Sequence, residues 1–258
     1  MTTNLQISAK TLGQLALPNF CGRCFWIRQH NPRLPFQVFP SIFSSIDSYS
    51  KKVTAVYHQR HLRLPQWLKP VGLDCCPLPV PHWRRFQFVD EETGIALTGC
   101  PDEVLRLPGR YPALAILDYK TARCSSRADE LIEMYETQLN VYGVIAKRTG
   151  LGIARSLWLA YYEPSTEVGM DQLAGLVNDD SLSMRFVPKL IPVAIKPEVI
   201  PELLAKARDI FDGAMPESAE GCRDCVLLEK LVSTFTNGKT GLAGLKTRSK
   251  TGAVRRAE

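Results

Sequence analysis

Ala113-Leu114-Ala115-Ile116-Leu117 is an unbroken apolar run that ends abruptly in Asp118-Tyr119-Lys120. Such a run reads as a strand buried on both faces at the centre of a sheet, so the chain must supply covering layers on either side. Upstream, Phe86-Gln87-Phe88-Val89 alternates as a strand does, and Asp90 to Gly94 supplies a turn. A second strand is expected over Ile95 to Leu107, with Pro108-Gly109-Arg110 turning the chain into the apolar run. Downstream, Arg127 to Arg148 reads as an amphipathic helix with Leu131, Tyr135, Leu139 and Tyr142 on one side, ended by Gly150 and Gly152. Strands at Ser156–Tyr162 and Ser183–Leu190 and a helix at Pro197–Phe211 follow. The order predicts an α/β fold with a mixed central sheet flanked by helices.

The N-terminal region reads as helical. Ser8 can cap a short helix ending before Pro18, a second would cover Phe20 to Gln29, and a third would start near Ser41 with Ile42, Ile46, Tyr49 and Val53 at helical spacing. Prolines crowd Leu62 to His82, which predicts an extended connection. The 258 residues, 45% hydrophobic and 22% charged, suit one large globular domain, taken as residues 1–231. No run of 18 apolar residues suggests a membrane span, and Met1 to Pro18 lacks the features of a signal peptide, so a cytoplasmic protein is expected. The net charge of +6 is concentrated at the end of the chain. Residues 232–258 carry Lys239, Lys246, Arg248, Lys250, Arg255 and Arg256 against Glu258 alone, which predicts a disordered basic tail. Such a tail either draws in phosphate backbones or serves only as a solvated end.

Chemistry concentrates at Pro101-Asp102 and, sixteen residues on, Asp118-Tyr119-Lys120. If the two strands form a hairpin, their carboxylates converge at one end of the sheet. Paired carboxylates with open positions suit Mg²⁺ or Mn²⁺. Asp118 and Lys120, two apart on a strand, share a face, so the ammonium can stand beside a metal and a phosphate. Gly99-Cys100-Pro101-Asp102-Glu103 followed by Leu117-Asp118-Tyr119-Lys120-Thr121 resembles the core motif of the PD-(D/E)XK nucleases. Gln138-Leu139-Asn140-Val141-Tyr142 resembles the Q-x-x-x-Y helix of their RecB-like branch. The resemblance implies a restriction-endonuclease-like fold and a catalytic set of Asp102, Asp118 and Lys120. It implies a metal held by Asp102, Asp118 and the Tyr119 carbonyl, and a DNA strand placed by Gln138 and Tyr142. Members usually add a ligand from a preceding helix; Asp47 is the best placed, ahead of His58 or His61.

Two C-x-x-C pairs, Cys21/Cys24 and Cys222/Cys225, lie at opposite ends of the expected domain. Together they form a four-sulfur set suited to Zn²⁺ or an iron–sulfur cluster, stapling the N-terminal helices to the C-terminal end. The resemblance implies a 4Fe–4S cluster, although its usual arrangement is one cysteine before and three after, not two and two. Cys75, Cys76, Cys100 and Cys124 have no usable partner spacing. Trp83-Arg84-Arg85-Phe86 mixes cations and aromatics, so Arg84 and Arg85 are candidate contacts to single-stranded DNA. The expected function is a Mg²⁺- or Mn²⁺-dependent deoxyribonuclease of DNA repair, recombination or defence. In the absence of any helicase motif, unwinding would fall to a separate partner chain. The alternatives are a non-catalytic nucleic-acid-binding module with a structural metal site, and a redox sensor built on the cysteines.

Overall fold

The computed structural model describes residues 5–31, 41–109, 112–121, 131–167 and 169–237. A five-stranded sheet forms its centre, in the order β2 (Cys76–Leu78), β5 (Glu103–Arg106), β6 (Ala113–Lys120), β7 (Ile153–Pro164) and β8 (Phe186–Val193). β6 runs antiparallel to β5 and parallel to β7, so the sheet is mixed. Helix α4 (Ile132–Arg148) makes the crossover between the two parallel strands. The remaining strands, β1 (Gln6–Ser8), β3 (Gln87–Val89) and β4 (Ala96–Thr98), form a separate small sheet in the order β1-β4-β3.

β6 is buried on both faces, as its composition requires. Leu114 and Ile116 join a cluster with Leu139, Tyr142 and Ile145 of α4 and with Ile200 and Leu204 of α6 (Val199–Asp212). Ala115, Leu117 and Tyr119 point the other way, into a cluster with Leu64, Leu68, Leu105, Ala160 and Tyr162. The central strand therefore carries its last residues out between two packed layers, and Asp118 ends up only 3% exposed.

Ser8 caps α1 (Ala9–Gly13), its hydroxyl accepting from the Thr11 N–H at 3.1 Å. The expected second and third helices are α2 (Gly22–His30) and α3 (Ser41–His61). Four differences from expectation stand out. A strand precedes the expected N-terminal helices, because Gln6–Ser8 pairs in parallel with β4, a partner some ninety residues away that local periodicity does not reveal. The strand expected over Ile95–Leu107 is two strands in different sheets, separated at Gly99-Cys100-Pro101. Pro101 has no N–H for a ladder. A Cβ at Gly99 would come within 2.7 Å of the Tyr142 ring, so only glycine lets the chain pass there.

The buried face of α3 is the third difference. Ile42 and Tyr49, read as its apolar face, are 58% and 70% exposed, whereas Ser50 and Thr54 are buried. Last, α7 (Arg223–Asn237) continues past residue 231, into the segment read as tail. Residues 238–258, and with them the basic residues of that tail, lie outside the described residues, as do Cys124 and the expected helical stretch Arg127–Glu130. The short α5 (Met170–Ala174) was not expected. The proline-rich connection is more than a tether: it supplies β2 and the fully buried Leu64 and Leu68. No helix among the described residues is long and apolar enough to cross a membrane.

Candidate active site and cysteine centre

Strand register brings the two carboxylates together. β5 and β6 pair Glu103 with Leu117, so continuing by one residue sets Asp102 opposite Asp118. Asp102 lies in the bend just before β5, and its N–H donates to the Leu117 carbonyl at 3.2 Å. Its Oδ2 accepts from the Tyr119 N–H at 2.6 Å, which locks the side chain across the end of β6. Burial first, and then repulsion from Asp118, pushes the Asp102 carboxyl up to about 6 despite the opposing pull of Lys51. The two carboxylates thus face each other away from water, each paired with a lysine, Lys51 on Asp102 and Lys120 on Asp118.

Asp118 is held from the α4 side. Gln138 donates from Nε2 to Asp118 Oδ1 at 3.0 Å and to the Tyr142 hydroxyl at 2.6 Å, while its Oε1 accepts from Lys120 at 3.3 Å. The Tyr142 hydroxyl also points at Asp118 Oδ1, at 3.5 Å. Burial, followed by the Asp118 charge, holds the Tyr142 phenol well above its ordinary range, so it remains a donor. Asp118 Oδ2 forms an ion pair with Lys120 but accepts no well-directed hydrogen bond among the described residues. The Lys120 ammonium in turn sits 3.9 Å from the centroid of the Tyr135 ring. Gln138 and Tyr142, expected to place DNA, are 6% and 4% exposed, with Gln138 in contact with Asp118 and Lys120 and Tyr142 with Gln138 and Asp118.

Three participants were missed by sequence reading. Lys51 bridges Asp47 Oδ2 at 2.7 Å and Asp102 Oδ1 at 2.9 Å, which brings Asp47 to the edge of the site. Burial disfavours the Lys51 charge, but Asp102 and Asp47 outweigh it and hold its pKa above the ordinary lysine value. Glu103 accepts from the Tyr119 hydroxyl, which is also 3.3 Å from Thr54 Oγ1, anchoring the other face of β6. Burial pushes Glu103 up to about 7, with Asp102 repulsion adding and the Tyr119 and Thr54 hydrogen bonds opposing. The spacing Asp47-x-x-x-Lys51, one helical turn, was the available signal for Lys51. Arg84 and Arg85 are exposed in the turn before β3, with Arg84 5.3 Å from the Trp83 ring centroid. Neither they nor His58 and His61 contact the carboxylates among the described residues. Cys100, just before Pro101-Asp102, is exposed.

The two C-x-x-C pairs meet. Each wraps the first turn of a helix: Cys21 caps α2 with Cys24 one turn in, and Cys222 precedes α7 with Cys225 in its first turn. All four sulfurs lie within 4.8 Å of one another. The closest approaches are Cys21–Cys225 at 3.7 Å, Cys24–Cys222 at 3.5 Å and Cys24–Cys225 at 3.5 Å. The Ala219 N–H donates to Cys21 Sγ at 3.4 Å. Burial raises the Cys21 thiol, but hydrogen bonds led by those from the Ala219 and Cys24 backbones outweigh it and bring it down to about 6. Ion pairs Arg23–Glu229 at 2.7 Å and Arg28–Asp224 at 3.1 Å flank the centre. A cleft of about 340 Å³ lined by Cys24, Cys222 and Tyr135 separates it from the first turn of α4.

The family model of the PD-(D/E)XK nuclease superfamily matches residues 44–228. No curated protein matches. Among solved structures, the crystal structure of SSO0001 is similar over 89% of this chain and 86% of that one, at 14% identity. Its TM-score of 0.40 is too low to bear on the argument. With a match across most of its length, and the motif residues gathered at one end of the sheet, the chain belongs to the PD-(D/E)XK nuclease superfamily.

Proposed function

We propose that this protein is a divalent-metal-dependent deoxyribonuclease of the RecB-like kind, with Asp102, Asp118 and Lys120 as its catalytic residues. The observation that carries the proposal is the facing pair Asp102 and Asp118, both withdrawn from solvent at 11% and 5% side-chain exposure, with a lysine bound to each. Carboxylate oxygens suit Mg²⁺ or Mn²⁺, and Asp118 Oδ2, which accepts no directed hydrogen bond and is paired with Lys120, would be shared between that ammonium and the ion. Asp102, Asp118 and the Tyr119 carbonyl would hold the ion, with Asp47 on the rim. When bound, the ion supplies Lewis-acid polarisation of a phosphate and a water of lowered pKa.

The rest is done by this chain's own groups. Lys120, held by Gln138 and the Tyr135 ring, is positioned to orient the attacking water and offset charge on the phosphate oxygens. Gln138 and Tyr142 act through Asp118 as positioning residues, holding its Oδ1 so that Oδ2 is left to Lys120. Lys51 keeps Asp102 ionised despite its burial. Arg84, Arg85 and the basic residues of the C-terminal segment would hold the nucleic-acid backbone. A thiolate-bound metal at Cys21, Cys24, Cys222 and Cys225 would close the domain.

The test is incubation of the purified protein with end-labelled single- and double-stranded DNA in Mg²⁺, in Mn²⁺ and in EDTA. The proposal expects cleavage in at least one metal and none in EDTA. DNA bound but left intact in both metals would make the chain a binding module instead.

A further inference from the structure

The four cysteines can be assigned a particular kind of metal from the spacing of their sulfurs. We infer that they hold a single tetrahedral ion, Zn²⁺, and not a 4Fe–4S cluster. This rests on the reading of the four cysteines as a metal site and is independent of the nuclease assignment.

Three arrangements of four cysteines differ sharply in S···S distance. In two disulfides each sulfur has one partner at about 2.0 Å. Here Cys24 is equidistant from two sulfurs, 3.5 Å from Cys222 and 3.5 Å from Cys225, so the set does not divide into pairs. In a 4Fe–4S cube each thiolate binds a different corner iron, and the four ligand sulfurs stand roughly 6 Å apart. The upper bound of 4.8 Å across the whole set is too small for that cube. Around one ion with metal–sulfur bonds of ~2.3 Å, the edge of a regular tetrahedron is ~3.8 Å. Three of the six approaches, at 3.5, 3.5 and 3.7 Å, fall just below that edge, and the other three lie within 4.8 Å.

The surroundings agree with a compact anionic centre. Both C-x-x-C pairs lie at helix N-termini, whose free N–H groups and dipoles favour thiolates. Ala219 aims an N–H at Cys21. Arg23, between Cys21 and Cys24 in the chain, pairs with Glu229, and Arg28 pairs with Asp224, so cationic groups flank the helices that carry the sulfurs. Thiolates rule out the hard cations that suit the carboxylate site, and among soft-ligand ions Zn²⁺ takes a closed tetrahedral shell without redox chemistry.

The experiment is metal and sulfide analysis, with native mass spectrometry, of the full chain purified without oxygen or chelator from cells supplied with both iron and zinc. One zinc per chain, no acid-labile sulfide and no visible absorption are expected. Exchange with Co²⁺ should then produce the intense visible bands of a tetrahedral thiolate complex. Cys222→His, which keeps four ligands, should retain one zinc, whereas Cys222→Ala should lose it or release it to a weak chelator at least tenfold faster. Cluster iron with matching sulfide would overturn the inference, as would a single iron in place of zinc. A folded wild-type chain carrying no metal would overturn the cysteine site itself. None of these readouts requires DNA cleavage, so a failure of the nuclease proposal would leave them intact.

Discussion

Asp102 and Asp118 stand sixteen residues apart on the two arms of a hairpin, whereas Cys21 and Cys225 are separated by 204 residues and meet only when the whole domain has closed. The carboxylates are brought together by register between adjacent strands, and they resist being together: burial and mutual repulsion push Asp102 up to about 6. The cysteines join α2 to α7, the last helix among the described residues, and a metal on them would convert binding energy into folding energy. On the proposed reading, one site strains the fold in order to do chemistry and the other steadies it. Helix α4 touches both, with Gln138 bonded to Asp118 and Tyr135 lining the cleft beside Cys24.

This contrast breaks most readily at its acidic end. Lys120→Ala should lower DNA cleavage by about 10³-fold or more while moving the melting temperature by only a few degrees, since it removes a group suited to transition-state charge. Cys225→Ala should do the reverse. With a buried ligand gone, several kcal/mol of metal-linked stability should be lost. Thermal unfolding should show a drop of at least about 10 °C, with cleavage per folded molecule nearly unchanged. A Cys225 variant that melts like the wild type would show that the staple does not hold the fold.

The positioning residues give a finer test. Gln138→Ala leaves Asp102, Asp118 and Lys120 in place but removes the amide that joins Asp118 to Lys120. A loss of about 10- to 100-fold in apparent metal affinity or turnover is expected, read from the Mn²⁺ dependence of cleavage. Gln138→Glu should not rescue it, because a carboxylate cannot donate to Asp118 Oδ1. An unchanged metal dependence would argue that Gln138 does something other than orient Asp118.

The smallest effect concerns Glu103, on the far face of β6. Its folded-state pKa is raised from 4.5 to about 7, so the folded state favours the protonated acid. Its destabilising contribution is absent below the unfolded pKa and complete above about 7, so metal-free stability should fall as pH rises through this window. Glu103→Gln should therefore melt higher than the wild type at pH 8 and equally at pH 4. Equal melting at both values would mean that Glu103 is not held in the protonated form.

What could be seen in advance follows physical lines. Asp118 and Lys120 share a face because strands alternate, and Gln138 and Tyr142 share one because helices repeat; both periods are local and were legible. Ser8 was legible as a cap for the same reason. The break at Gly99-Cys100-Pro101 was legible only in part: Pro101 is a local signal, but the Tyr142 ring that demands glycine at 99 lies forty-three residues downstream. The inward face of α3 was misread because a buried Ser50 and Thr54 resemble a solvated face until Tyr119 and Glu103 are seen behind them. Lys51 lay hidden on the same helix: a lysine one turn from an acid is commonly a surface pair, and only the third partner, Asp102, makes it part of the site. In each case polar burial, more than apolar burial, was hard to foresee.

The most direct measurement is cleavage of labelled DNA by Asp118→Asn beside the wild type in Mn²⁺, with melting temperature and cysteine-bound metal determined on the same samples. The account predicts a variant that is folded, retains its thiolate metal and cuts at least about 10³-fold more slowly. Wild-type cleavage by a folded Asp118→Asn protein would contradict it, since no other described carboxylate faces Asp102 across the end of the sheet.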